Sequence, residues 1–94
     1  MQQDTFHRES LLYQAILALN SEEECRAFLH DLCTVAELRA MSQRIEVALM
    51  LDSGMIYNEI LQHTGASSAT ISRVNRALQY GANGYKTVLP RVKP

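Results

Sequence analysis

Apolar positions recur at helical spacing along most of the chain, and the breaks between them are well marked. From His7 to Leu19, the residues Leu11, Leu12, Ala15, Ile16 and Leu19 fall on one side of a helix. Asn20-Ser21 interrupts it. Ser21 followed by Glu24 forms a capping box, in which each side chain can satisfy a free backbone N–H of the other's segment. The helix it opens carries Cys25, Phe28, Leu29 and Leu32. Thr34 with Glu37 is a second capping box, opening the longest helix, from Val35 to about Asp52, with Leu38, Met41, Ile45, Ala48 and Leu49 on one face. Ser53-Gly54 stops that helix. Near the C-terminus, Gly81-Ala82-Asn83-Gly84 reads as a loop, and Tyr85 to Leu89 as a short last helix ending before Pro90. No stretch alternates with period two over the length of a strand. The pattern predicts an all-α chain of about six helices.

The segment from Ile56 to Leu78 carries the most information. Ile56, Ile60 and Leu61 predict a short helix, Gly65 can take the positive φ that ends it, and Ser67 can cap the next. That next helix has an apolar stripe of Ile71, Val74 and Leu78. Helix, tight turn and second helix in this order make a helix-turn-helix, whose second helix can enter a DNA major groove. At about 100° per residue, Ser68, Ala69, Ser72, Asn75, Arg76 and Gln79 face away from the apolar stripe, and Arg73 flanks them. Small residues let the helix backbone approach base edges, and Arg, Asn and Gln can contact bases or phosphates. A merely solvated face usually mixes Glu with Lys. This one holds no acid.

Charge sharpens that reading. The 94 residues carry a formal net charge of −1, but the two ends differ. All ten acids lie at or before Glu59, with four of the nine basic residues, so residues 1–59 sum to −6. Residues 60–94 hold Arg73, Arg76, Lys86, Arg91 and Lys93 and no acid, a sum of +5. Affinity for a polyanion depends on such local basic charge, because it releases counterions. A tail with Arg91 and Lys93 can add phosphate contacts or can serve solubility alone.

Other chemistry finds little support. His7, His30 and His63 are far apart and lack a Cys or carboxylate set at metal-ligand spacing, so no metal is expected. There is no glycine-rich phosphate loop, and Ser67-Ser68 has no evident base partner. Tyr13, Tyr57, Tyr80 and Tyr85 read as packing residues with polar tips. Cys25 and Cys33, eight apart, read as reduced and partly buried. No apolar run suits a membrane span, and Met1-Gln2-Gln3-Asp4-Thr5 lacks the regions of a signal peptide. The expectation is a cytoplasmic protein that is not an enzyme and needs no cofactor.

Two stretches resemble the Trp repressor family. Gly65-Ala66-Ser67-Ser68-Ala69-Thr70-Ile71-Ser72-Arg73 is similar to that repressor's turn and recognition helix, with the likeness continuing through Asn75 and Leu78. Thr34-Val35-Ala36-Glu37-Leu38-Arg39-Ala40-Met41-Ser42-Gln43-Arg44-Ile45 resembles the start of its long central helix. Together they cover about residues 32–80, and the likeness looks nearer still to the Trp-repressor-related proteins of the YerC/YecD type. The resemblance implies an intertwined, all-helical homodimer that represses transcription on double-stranded DNA. It puts Ser68, Ala69, Thr70 and Ser72 at or near base edges. With the cap Ser67 and the basic Arg73 and Arg76, these make the expected DNA-binding set. It also implies an effector pocket of Thr34, Arg44 and Arg73, the two arginines matching those that sandwich the repressor's indole ring. Here the sequence departs. Val74 stands where the repressor has a glycine beside the ligand, and Ala77 where it has a serine that meets the ligand's amino group. Added bulk and a missing polar partner predict that tryptophan does not bind. Arg44 can equally well serve a surface salt bridge with Asp52 or Glu37. On the first helix of the reading unit, Asn58 and Gln62 stand where the repressor is basic.

The expected organisation is a single domain over residues 1–94: a helical dimerisation core over 6–53, the helix-turn-helix over 55–80, and a short helix with a basic tail over 81–94. Apolar load in so short a chain invites a twofold partner. Two functions fit: a homodimeric, sequence-specific DNA-binding regulator, or an interaction module whose same helix pair docks a component of the transcription or replication machinery.

Overall fold

A computed structural model describes the backbone of residues 2–92 and the side chains of residues 8–92. The side chains of His7 and of the segment before it, and Lys93 of the expected basic tail, lie outside the described residues. Six helices and no strands make up the described chain: α1 (Gln2–Leu17), α2 (Glu22–Leu32), α3 (Val35–Asp52), α4 (Tyr57–Thr64), α5 (Ser68–Tyr80) and α6 (Gly84–Val92). The all-α expectation holds. None of these helices is long and apolar enough to cross a membrane.

The chain divides into two compact units, residues 1–38 and residues 39–94. In the first, both capping boxes form. The Ser21 hydroxyl accepts from the Glu24 N–H at 3.1 Å, and Glu24 Oε1 accepts from the Asn20 N–H at 2.8 Å. The Thr34 hydroxyl accepts from the Glu37 N–H at 3.0 Å, and Glu37 Oε1 accepts from the Thr34 N–H at 2.8 Å. These reciprocal bonds fix where α2 and α3 begin. Helix α1 starts earlier than the apolar pattern suggests, because a polar stretch with no breaker extends an existing helix at little cost. No described side chain of this unit is buried. Leu11 is 61% exposed and Leu17 82%, and Tyr13, Ile16, Leu32 and Val35 are exposed too. Cys25 and Cys33 are free thiols, half-buried.

The second unit holds the core: Val47, Ala48, Ile60, Ala66, Ile71, Val74 and Leu89. Each Val, Ile or Leu among them contributes about 1.5–3 kcal/mol when fully removed from water. Helix α3 brings Val47 and Ala48, α4 brings Ile60, α5 brings Ile71 and Val74, and α6 brings Leu89. The stripe assigned to α3 is corrected in part. Ile45 is exposed, and Val47, roughly 200° further round the helix, is fully buried. Apolar residues lie on several sides of α3, so its spacing alone does not single out the inner face.

Helix α6 also departs from expectation, since it runs through Pro90 to Val92. Proline donates no N–H and normally ends a helix. Here only a short last turn follows it, while the preceding residue Leu89 is buried. The core contact is made before the defect.

Glu37 yields a testable pH effect. Its carboxylate accepts from the backbone N–H of Thr34 and, secondarily, interacts with the Thr34 hydroxyl, and both hold its pKa below the ordinary value. A carboxyl whose folded pKa is lowered stabilises the fold above its unfolded pKa, and that contribution disappears as pH falls through the folded pKa. Thr34→Ala should move the Glu37 pKa part of the way back up, measured by NMR titration, because the backbone donor remains.

Candidate nucleic-acid interface

The joint between α4 and α5 sets the direction of α5. Gly65 takes φ 68° and its N–H donates to Leu61 O at 2.9 Å, which closes α4. A side chain there would meet nothing within 4 Å, so glycine serves the left-handed backbone and not a close contact. The Thr64 hydroxyl donates to Ile60 O at 2.7 Å and accepts from the Ala66 N–H at 3.0 Å. From α3, Gln43 Nε2 donates to Thr64 O at 3.2 Å. Ala66 is buried, and Ser67 caps α5 by accepting from the Thr70 N–H at 3.1 Å. Every residue from Thr64 to Ser67 is thus fixed by a backbone bond, a side-chain bond or burial.

With Ile71 and Val74 sealed inside, the opposite side of α5 is open. Ser67, Ser68, Ala69, Ser72, Arg73 and Arg76 are all exposed. Thr70 is half-buried, and its hydroxyl accepts from Ser67 Oγ at 3.0 Å, so it belongs to the turn as much as to the open face. Among the described residues, Ser68, Ser72, Arg73 and Arg76 make no side-chain hydrogen bond or ion pair. Their donors are available to an incoming acceptor. No acid occurs on α5.

The residues of the expected effector pocket belong to both units. Thr34 belongs to the first unit, where its hydroxyl and N–H serve the cap of α3. Arg44 is half-buried and Arg73 exposed, both in the second unit and both without an ion-pair partner among the described residues. Val74, 1% exposed, is part of the core. Ala77 lies instead beside an apolar hollow of about 430 Å³ lined by Ile45, Ala82, Gly84, Tyr85, Val88 and Leu89. Neither arginine lines that hollow. No group of His, Cys, Asp and Glu among the described residues could hold a metal ion.

The structure adds a feature that the sequence pattern misses. Tyr57 of α4 joins Ser72, Asn75, Arg76, Gln79 and Tyr80 of α5 around an open recess of about 530 Å³. Tyr80 lies one helical turn beyond Arg76, so a wheel carried to the end of α5 would have included it. Tyr57 could not be found that way, since only the packing of α4 on α5 brings it there.

Comparisons with known proteins agree with this geometry. Residues 8–93 match the model of the Trp repressor protein family. The chain is 51% identical over 82 residues to the uncharacterized protein YerC of Bacillus subtilis (strain 168), covering 87% of this chain and 79% of that one. A solved structure of a candidate Trp repressor from Staphylococcus aureus superposes with a TM-score of 0.88 at 46% identity, over 97% of this chain and 93% of the other. A TrpR like protein from Eubacterium eligens ATCC 27750 gives a TM-score of 0.85 at 49% identity, over 88% and 86%.

Proposed function

The chain belongs to the Trp repressor family, and from that premise we propose that it is a homodimeric, sequence-specific DNA-binding regulator that represses transcription in the bacterial cytoplasm. The observation that carries the reading is α5 itself. One side is locked into the core by Ile71 and Val74, and the other presents Ser68, Ala69, Ser72, Arg73 and Arg76 without an acid on the helix or, among the described residues, an internal partner. Ser67 and Thr70 position the N-terminus of that helix, the end that meets base edges in this motif. Arg73 and Arg76 supply charge for phosphates.

The homodimer reading rests on the first unit. Residues 8–38 bury no side chain, yet they carry an apolar face along α1 and α2. The second unit offers its apolar hollow beside Ala77. A second copy of the chain supplies cover for both kinds of surface, with residues 6–53 as the dimerisation part, and doubles the number of reading helices.

The same geometry argues against tryptophan as effector. Val74 fills core space, and Ala77 brings no polar group to a ligand's amino end. Arg44 and Arg73 remain available to a different anion.

Three outcomes follow. Light scattering at micromolar concentration should give about twice the mass of one chain, and a monomer would overturn the dimer. In anisotropy titrations across salt, the protein should prefer particular duplexes and bind them more weakly as salt rises. Arg73→Ala and Arg76→Ala should each lower the log–log salt slope by about 0.9 for one lost phosphate contact. Unchanged binding in both variants would show that the open face of α5 is not the reading face, and a wild-type protein that binds no duplex would favour a protein partner. Calorimetry with millimolar L-tryptophan should show no saturable heat, and tryptophan should leave duplex affinity unchanged.

A further inference from the structure

The chain has four asparagines, and only Asn83 is followed by a glycine. Asn20, Asn58 and Asn75 precede Ser21, Glu59 and Arg76. Asn58 and Asn75 lie inside α4 and α5, and Asn75 Oδ1 accepts from Gln79 Nε2. Asn83 stands instead in the loop before α6, exposed, with φ 68°. Asparagine enters this left-handed region more readily than most residues. Its backbone carbonyl accepts from the Thr87 N–H at 3.0 Å and from the Thr87 hydroxyl at 2.9 Å. Those bonds hold the first turn of α6. Among the described residues, the side-chain amide of Asn83 and the N–H of Gly84 make no hydrogen bond.

Gly84 has no folding reason to be glycine. Its φ is not positive, and a Cβ there would meet nothing within 4 Å. The missing side chain leaves the Gly84 nitrogen unscreened beside the amide of Asn83. That nitrogen is also the first of α6, where the aligned peptide dipoles favour negative charge. Loss of its proton is made easier there. An exposed, unbonded amide carbon and an unscreened nucleophilic nitrogen are thus neighbours in the chain.

We propose that Asn83-Gly84 is a self-modifying site that limits the working life of the folded second unit. Gly84 N attacks Cγ of Asn83. An N–C bond forms, the Cγ–Nδ2 bond breaks, and ammonia leaves with the proton that Gly84 N gave up. Water then opens the cyclic imide. Opening at Cγ gives aspartate on an unaltered main chain, an acid at the start of α6 that a helix accepts well. Opening at the backbone carbonyl gives isoaspartate, whose main chain runs through Cβ and Cγ. The carbonyl that received both Thr87 bonds is then outside the main chain, and an extra carbon separates the loop from α6. Helix α6 packs on α5 and supplies Leu89, 2% exposed, to the core. Isoaspartate therefore loosens the seat of Leu89. Asn83 does not line the apolar hollow offered to a second copy, and the inference does not rest on the DNA-binding reading.

The test ages purified wild type, Gly84→Ala and Asn83→Asp at growth temperature, at mildly acidic and mildly alkaline pH. Samples are read by intact mass, by peptide mapping that separates aspartate from isoaspartate, and by thermal melts. Wild type should gain the mass of an amide-to-acid exchange at Asn83 alone, and faster at the alkaline pH. Gly84→Ala should stay unmodified over the same period. The isoaspartate fraction should melt about 4–8 °C below the fresh chain, the shift that a modest loss of packing gives in a domain of this size. Fresh Asn83→Asp carries the new charge on a normal main chain and should melt no lower than wild type. An Asn83 that stays intact in aged wild type overturns the proposal. So does equal modification in Gly84→Ala, or an isoaspartate form that melts like the fresh chain. If Gly84→Ala does not fold, the position of the change and its pH dependence in wild type decide the matter. Loss of DNA binding in fresh protein bears on the reading face alone and leaves this inference untouched.

Discussion

The burial of Ile71 and Val74 against Val47, Ile60 and Leu89 is the constraint on which the second unit depends. A helix has one rotation about its axis to choose, and these two side chains choose it for α5. Once they are inside, Ser68, Ser72 and Arg76 have no direction open to them but outward. The joint at Gly65 then fixes the remaining freedom, the angle at which α5 leaves α4. Gln43 adds a bond from α3 to the last carbonyl of α4, so the joint is tied to the longest helix as well as to its neighbours. An open face made of small and polar residues has little packing energy of its own. Its geometry is set by the apolar residues behind it.

Much of this was legible in the sequence, for reasons that differ by element. The starts of α2 and α3 were readable because Ser21/Glu24 and Thr34/Glu37 are local devices, complete within four residues. The helix-turn-helix was readable because Gly65 and Ser67 each answer a specific backbone need. The inner face of α3 was not, since apolar residues on several sides leave the choice between Ile45 and Val47 to tertiary packing. Nor was the end of α6. Local rules stop a helix before Pro90, yet with Leu89 anchored in the core it runs three residues further, to Val92. Tyr57 escaped for a similar reason, because its place beside Arg76 exists only after two helices pack.

Thr34, Arg44 and Arg73 align in register with a ligand site; in the structure Thr34 caps α3, and neither arginine has an ion-pair partner among the described residues. The residue between alignment and chemistry is Val74. In a pocket it would be an obstruction, and in this fold it is one of seven core side chains. Restoring a glycine there would open space and remove a core contact at once, so the change from core to pocket is a change in stability as well as in specificity.

The first unit, whose described side chains include apolar faces and none that is buried, has a consequence for the life of the molecule in the cell. If a second copy provides that interior, folding is a second-order event, and its completion depends on how many chains are present. Dilution then acts as a denaturant does. A cell making few copies would hold not merely fewer regulators but a smaller fraction of competent ones, so output would respond to expression more steeply than in proportion. Turnover would follow the same law, because the unpaired chain is the form that exposes leucines to proteases and chaperones. An uncovered apolar face on about two-fifths of a small chain would in that case be a threshold on abundance, set by surface area rather than by any ligand.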